Sequence, residues 1–132
     1  MVEPKSVTLR IVYADDDELV RDTVTELLRG LGVEVHVCEN GAEAVLLCVS
    51  VGPDVALLDL TMPGMDGFES AVRIRQNDVD GETRLVALTG HIHAHFMEKA
   101  RSAGFDEFLN KPITLETLEG AVHRWRQLPR AG

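Results

Sequence analysis

Residues 54–67 read DVALLDLTMPGMDG, and this stretch decides the fold. Asp54 to Leu60 is apolar at nearly every position, so both faces of the strand it predicts must be covered. Strands buried on both faces belong to parallel sheets flanked by helices. The run carries Asp59 near its end and gives way to a loop, Thr61 to Gly67, punctuated by Pro63, Gly64 and Gly67. Asp66, with Glu69 three residues later, predicts the N-cap and capping pair of a helix reaching about Gln76.

The same alternation continues in both directions. Upstream, Thr8 to Ala14 (TLRIVYA) is a short β-branched strand that stops at Asp15-Asp16-Asp17, with Asp17 as a helix N-cap. Val20, Val24, Leu27, Leu28 and Leu31 recur at helical spacing, and Gly30 and Gly32 end that helix. Glu34 to Cys38 is a strand, and Gly41 to Val51 a helix closed by Gly52-Pro53. Downstream, Asn77 to Glu82 is a polar turn and Arg84 to Thr89 a strand. Ile92, Phe96, Ala100 and Ala103 mark a helix ended by Gly104. Asp106 to Asn110 is a short strand, and Leu115, Leu118, Val122 and Trp125 form the apolar stripe of a last helix ended by Pro129. Five strand–helix units with short connections require helices on both faces of the sheet. The expectation is an α/β doubly wound five-stranded parallel sheet, in one domain over residues 1–132. Its core spans about 8–128, with 1–7 and 129–132 as tails.

Composition narrows the function. Thirteen basic residues against 22 acidic ones give a net charge of −9, which argues against direct nucleic acid binding. Hydrophobic residues make up 45%, too many for a disordered chain. No run of about 18 apolar residues predicts membrane insertion. Met1 to Thr8 lacks the apolar stretch of a secretory signal. Two cysteines, Cys38 and Cys48, make no disulfide framework and read as small core residues rather than redox sensors. The expected compartment is the cytoplasm.

Ligands of such sheets bind at the carboxyl ends of the strands, where strand order reverses. The first strand ends at Asp15 and Asp16, the third near Asp59, the fourth at Thr89-Gly90, and the fifth at Asn110-Lys111-Pro112. Two carboxylates about 4 Å apart repel by about 4 kcal/mol at an effective dielectric near 20. Three need compensation, which Lys111 supplies in part. A hard divalent cation such as Mg²⁺ supplies the rest. Lysine, hydroxyl and cation around a carboxylate suit phosphoryl chemistry, with the carboxylate as nucleophile.

These residues resemble the receiver domain of two-component response regulators. The resemblance rests on Val12-Tyr13-Ala14-Asp15-Asp16, on Leu57 to Gly67, on Ala87-Leu88-Thr89-Gly90 and on Asn110-Lys111-Pro112, and it covers about Thr8 to Leu128. It implies a flavodoxin-like (βα)5 domain with strand order 2-1-3-4-5. It implies that Asp59 accepts a phosphoryl group from a phosphohistidine on a sensor histidine kinase or histidine phosphotransfer protein. Asp16 would bind Mg²⁺ (Mn²⁺ as the alternative) directly, with Asp15 acting directly or through water and the Thr61 carbonyl as a further ligand. Lys111 would pair with Asp59 and contact the phosphoryl group, and Thr89 would donate its hydroxyl to it. Thr89 and Phe108 would be the switch pair, and Lys111-Pro112 a cis peptide. Phe108 stands where tyrosine is commoner, and core filling is the other reading of it. Such a domain is a signalling module rather than an enzyme, although it supports its own phosphoryl transfer and dephosphorylation. The downstream effector is left open, as is whether the receiver stands alone or belongs to a hybrid histidine kinase.

Competing readings fare worse. A haloacid-dehalogenase-like phosphatase would want a second Asp two residues after the nucleophile, where Thr61 stands. A flavodoxin-like cofactor domain would want a phosphate loop where the sequence has Asp15-Asp16-Asp17, and no GxxxxGK[ST] or GxGxxG occurs. His91, His93 and His95 do not share a helix face, so a solvated helix start is favoured over a metal site. His91 also lies two residues after Thr89, as Thr61 does after Asp59, and in the family these positions tune dephosphorylation. Met62 and Met65 are expected to pack. His123, Arg124, Arg126 and Arg130 suit a helix C-terminus, and an acidic partner ranks second.

Overall fold

The computed structural model describes residues 8–62, 64–78, 81–90 and 94–128. Five strands, β1 (Arg10–Ala14), β2 (Glu34–Cys38), β3 (Val55–Asp59), β4 (Arg84–Thr89) and β5 (Glu107–Asn110), form one sheet. All neighbours are parallel, and the order is β2-β1-β3-β4-β5. Between them run α1 (Glu18–Gly30), α2 (Gly41–Val51), α3 (Gly67–Asn77) and α4 (Ala94–Ala103), and α5 (Leu115–Arg126) follows β5. Strand order and fold class match the sequence expectation.

The strand period of two sorts the core into two layers. Ile11, Tyr13, Val55, Leu57, Val86 and Leu88 face α1 and α5, where they meet Val24, Leu28, Leu118 and Trp125. Ala14, Ala56, Leu58, Leu85 and Ala87 face the other side, with Ala44, Ala71, Ile74 and Ala100. Small residues on that second face let three helices approach closely.

Capping follows the local signals. Asp17, Asn40, Asp66 and Thr114 each accept a backbone N–H from the first helical turn that they precede. Glu69 does not complete a capping pair in the expected sense; its carboxylate meets Arg73 instead.

Several boundaries differ from expectation. Pairing of β1 begins at Leu9, whose carbonyl accepts from Glu34, so Thr8 stays outside the strand. β3 loses Asp54 at its amino end and Leu60 at its carboxyl end, and β5 loses Asp106; the Asp54 and Asp106 carboxylates accept the Arg10 and Leu85 amides there. α5 stops at Arg126, before Pro129: Gln127 and Leu128 donate to the Arg124 and Trp125 carbonyls, which tightens the last turn and closes the helix. Pro63, His91, Ile92, His93, Pro129 and Arg130 lie outside the described residues. Trp125 and Met62 are buried and Met65 is half-buried. Cys38 is buried but Cys48 only half-buried, and burial pushes both thiols up to about 12.

The basic end of α5 finds partners within the chain. Arg124 pairs with Glu107 at 2.7 Å, and Arg126 donates to the Leu31 carbonyl at the end of α1.

Candidate functional site

β1 lies between β2 and β3, so the chain leaves in opposite directions from β1 and β3 and opens a crevice at their carboxyl ends. Asp15 and Asp16 follow β1, and Asp59 is the last residue of β3. The three carboxylates bring ligand oxygens within 4.8 Å of one another. Asp15 and Asp59 are buried and Asp16 is exposed.

Both oxygens of Asp59 are engaged. Oδ1 accepts the Thr61 N–H at 3.0 Å, and Oδ2 meets Lys111 Nζ at 3.0 Å. Lys111 reaches it because its own N–H donates to the Thr89 carbonyl at 2.9 Å, which extends the β4–β5 pairing beyond the strand. The Lys111–Pro112 bond is cis, as expected. Burial raises the Asp59 pKa above the ordinary carboxylate value, and Asp15 adds to the rise. The Thr61 amide and Lys111 oppose both.

The loop after β3 closes tightly beneath the site. A Cβ on Gly67 would stand 2.6 Å from the Asp59 carbonyl oxygen and 2.7 Å from Leu60 Cα, so only glycine allows α3 to begin there. Thr89, at the end of β4, is buried. Phe108 is half-buried, packed toward the α2–α4 layer with the Arg101 guanidinium 5.5 Å from its ring centroid. His95 is exposed on α4.

Two site neighbours escaped the sequence reading. The Tyr13 hydroxyl donates to Asp15 Oδ2 at 2.9 Å, and Arg21 Nη1 donates to the Asp15 carbonyl at 2.9 Å. Burial, reinforced by Asp15, drives the Tyr13 pKa far above the ordinary value, so the phenol remains a donor. The signal for Tyr13 was its position two residues before Asp15, on the same side of a strand. Arg21 lies one helical turn into α1, where an acidic strand end is within reach.

The donor set is entirely oxygen and carries more negative charge than Lys111 balances. Such a set fits a small hard divalent cation. Asp15, Asp16 and Asp59 are the side chains that would hold it.

Fold and site together define a doubly wound domain with an acidic pocket at its switch point. The chain belongs to the response regulator receiver domain family, whose model matches residues 11–123. It is 28% identical over 121 residues to protein PilG of Pseudomonas aeruginosa, covering 92% of this chain and 90% of that protein. It is 34% identical to the transcriptional regulatory protein TrcR of Mycobacterium tuberculosis, covering 92% of this chain but only 46% of that protein. Among solved structures, the receiver domain of the sensor histidine kinase PA1611 from P. aeruginosa superposes with a TM-score of 0.82 at 25% identity. That match covers 91% of this chain and 98% of that one, and that structure has a magnesium ion coordinated in its active-site cleft. The chain is thus a receiver domain of two-component signalling. Among the described residues no helix is long and apolar enough to cross a membrane.

Proposed function

We propose that residues 8–128 act as one receiver unit in which Asp59 accepts a phosphoryl group from a phosphohistidine on a sensor histidine kinase or a histidine phosphotransfer protein. The observation that carries this reading is the convergence of Asp15, Asp16 and Asp59 within 4.8 Å, with Lys111 on Asp59 at 3.0 Å. An Asp59 carboxylate oxygen attacks phosphorus and forms the P–O bond. The phosphorus–nitrogen bond breaks, and the departing imidazole takes up a proton. Attack by water on the same phosphorus later breaks the P–O bond, releases inorganic phosphate and restores the carboxylate.

Asp15, Asp16, Asp59 and the Thr61 carbonyl are the groups that would hold Mg²⁺ or Mn²⁺. When bound, the ion neutralises charge on the phosphoryl oxygens. Lys111 shifts from the carboxylate to a phosphoryl oxygen, and the Thr89 hydroxyl donates to another. Phosphorylation adds roughly one further negative charge and strong acceptor oxygens at one point. Thr89 and Phe108 carry that local change to the α4–β5–α5 surface, as a two-state element biased by a charge event. Phe108 does so by packing alone, since it has no hydroxyl.

A groove of about 570 Å³ beside Lys111 is a surface on which such a donor protein would dock. It is lined by Leu19, Val20, Leu88, Pro112 and Ile113, and Leu19 is 77% exposed. A donor protein with an apolar surface would seat there, beside the lysine that meets Asp59.

Intact-mass spectrometry after incubation with Mg²⁺ and acetyl phosphate tests the reading. One phosphoryl group is expected, lost with EDTA and in Asp59→Asn. A group that persists in Asp59→Asn moves the acceptor elsewhere and overturns the assignment.

A further inference from the structure

We propose that Tyr13 is a positioning residue of the acidic pocket, whose phenol holds Asp15 in the orientation that faces Asp16 and Asp59. The inference rests on reading that pocket as the cation and phosphoryl site. Tyr13 is fully buried on β1, in the layer it shares with Leu28, Leu57, Leu118 and Trp125. Packing alone would be satisfied by phenylalanine. A hydroxyl in that layer is costly unless it finds a partner, and its partner is Asp15 Oδ2 at 2.9 Å.

Asp15 is held from three sides. Its Oδ1 accepts the Asp17 N–H at 3.0 Å, its Oδ2 accepts the Tyr13 hydroxyl, and its carbonyl accepts from Arg21. These bonds matter because of the charge around them. Three carboxylates within 4.8 Å repel one another, and an untethered Asp15 would turn away from the other two. Two donors on opposite oxygens remove that freedom and keep the pocket converged. Each oxygen retains a lone pair for a metal ion or a metal-bound water. Donors of this outer kind orient ligands, and losing one typically weakens metal binding by 10- to 100-fold. The strand geometry makes the arrangement direct: residues 13 and 15 share a side, and the length of a tyrosine spans the gap.

Tyr13→Phe keeps the ring and deletes the hydroxyl. Isothermal titration calorimetry with Mg²⁺ alone is expected to show about tenfold weaker binding than wild type. Urea unfolding in EDTA of wild type, Tyr13→Phe, Asp15→Ala and the double variant provides a second measurement. The cost of deleting the hydroxyl is expected to shrink when Asp15 is already Ala and its acceptor is gone, the mark of a direct contact. Mg²⁺ affinity unchanged in Tyr13→Phe overturns the proposal, even if stability falls, because packing alone would then explain the tyrosine. Equal unfolding costs in the two backgrounds overturn it as well. A wild-type chain that neither binds Mg²⁺ nor takes up a phosphoryl group from acetyl phosphate overturns instead the functional reading beneath it.

Discussion

At the carboxyl ends of β1 and β3, three carboxylates converge and Asp59 among them meets a lysine; at the amino ends of β4 and β5, Asp106 and Glu107 meet guanidiniums. Arg75 anchors the second region. Its Nε and Nη2 donate to the Gly104 carbonyl and its Nη1 to the Thr83 carbonyl, and it pairs with Asp78 and Asp106. Glu107 accepts from Arg84, Arg124 and the Trp125 indole. This end ties α3, β4, β5 and α5 together and leaves those carboxylates compensated. The other end gathers three carboxylates, more negative charge than its neighbouring cations among the described residues, Lys111 and Arg21, balance. A compensated rim stabilises the fold, whereas an uncompensated one costs stability and is ready to take a cation.

The sharpest test of that contrast is Arg75→Ala. It strips four acceptor residues in two connections, α3–β4 and α4–β5, of their donor and leaves Asp78 and Asp106 without their cation. Urea denaturation should show a loss of about 3 kcal/mol. A loss under about 1 kcal/mol would mean that the compensated end does not hold the fold.

The acidic end should respond with the opposite sign. The Asp59 pKa is raised above its ordinary 3.8, so the folded chain holds that proton more tightly than the unfolded chain does. The stabilisation this provides is complete below the ordinary value and is lost as pH rises through the raised one. At neutral pH Asp59 is therefore a burden, and Asp59→Asn in metal-free buffer should be more stable than wild type by about 1 kcal/mol. The gap should close on acidification to the ordinary carboxylate range. Denaturant midpoints measured across that range check it; a variant less stable than wild type at neutral pH would show that Lys111 fully compensates the site.

Arg84→Gln should do least. Arg124 still holds Glu107 when Arg84 is gone, and Arg84 is partly exposed. Thermal or urea unfolding should register about 0.5 kcal/mol. A much larger loss would mean that Glu107 depends on both guanidiniums at once.

Much of this was legible in the linear chain. The alternation of two hydrophobic periods marked every element, and the acidic residues at strand ends marked Asp15, Asp16 and Asp59 as a group. Asp17 and Asp66 were readable as caps because capping depends on residues three apart. The Arg75 knot was not readable: its partners Gly104 and Asp106 lie far along the chain, and an arginine on a helix normally reads as solvated. Glu107 likewise looks like an edge residue until α5 folds over it.

By itself, then, the order of residues determined the five strand–helix units, their burial on both faces and the rim at which the acids gather, because period, turn chemistry and caps act over a few neighbours. Only the tertiary structure decided that the Asp59 carboxylate is divided between the Lys111 ammonium and the Thr61 amide, that Tyr13 reaches Asp15, and that Arg75, Arg84 and Arg124 gather at the opposite end. Those contacts are polar and directional. They depend on strand register and on side-chain angles that exist only once the sheet has formed.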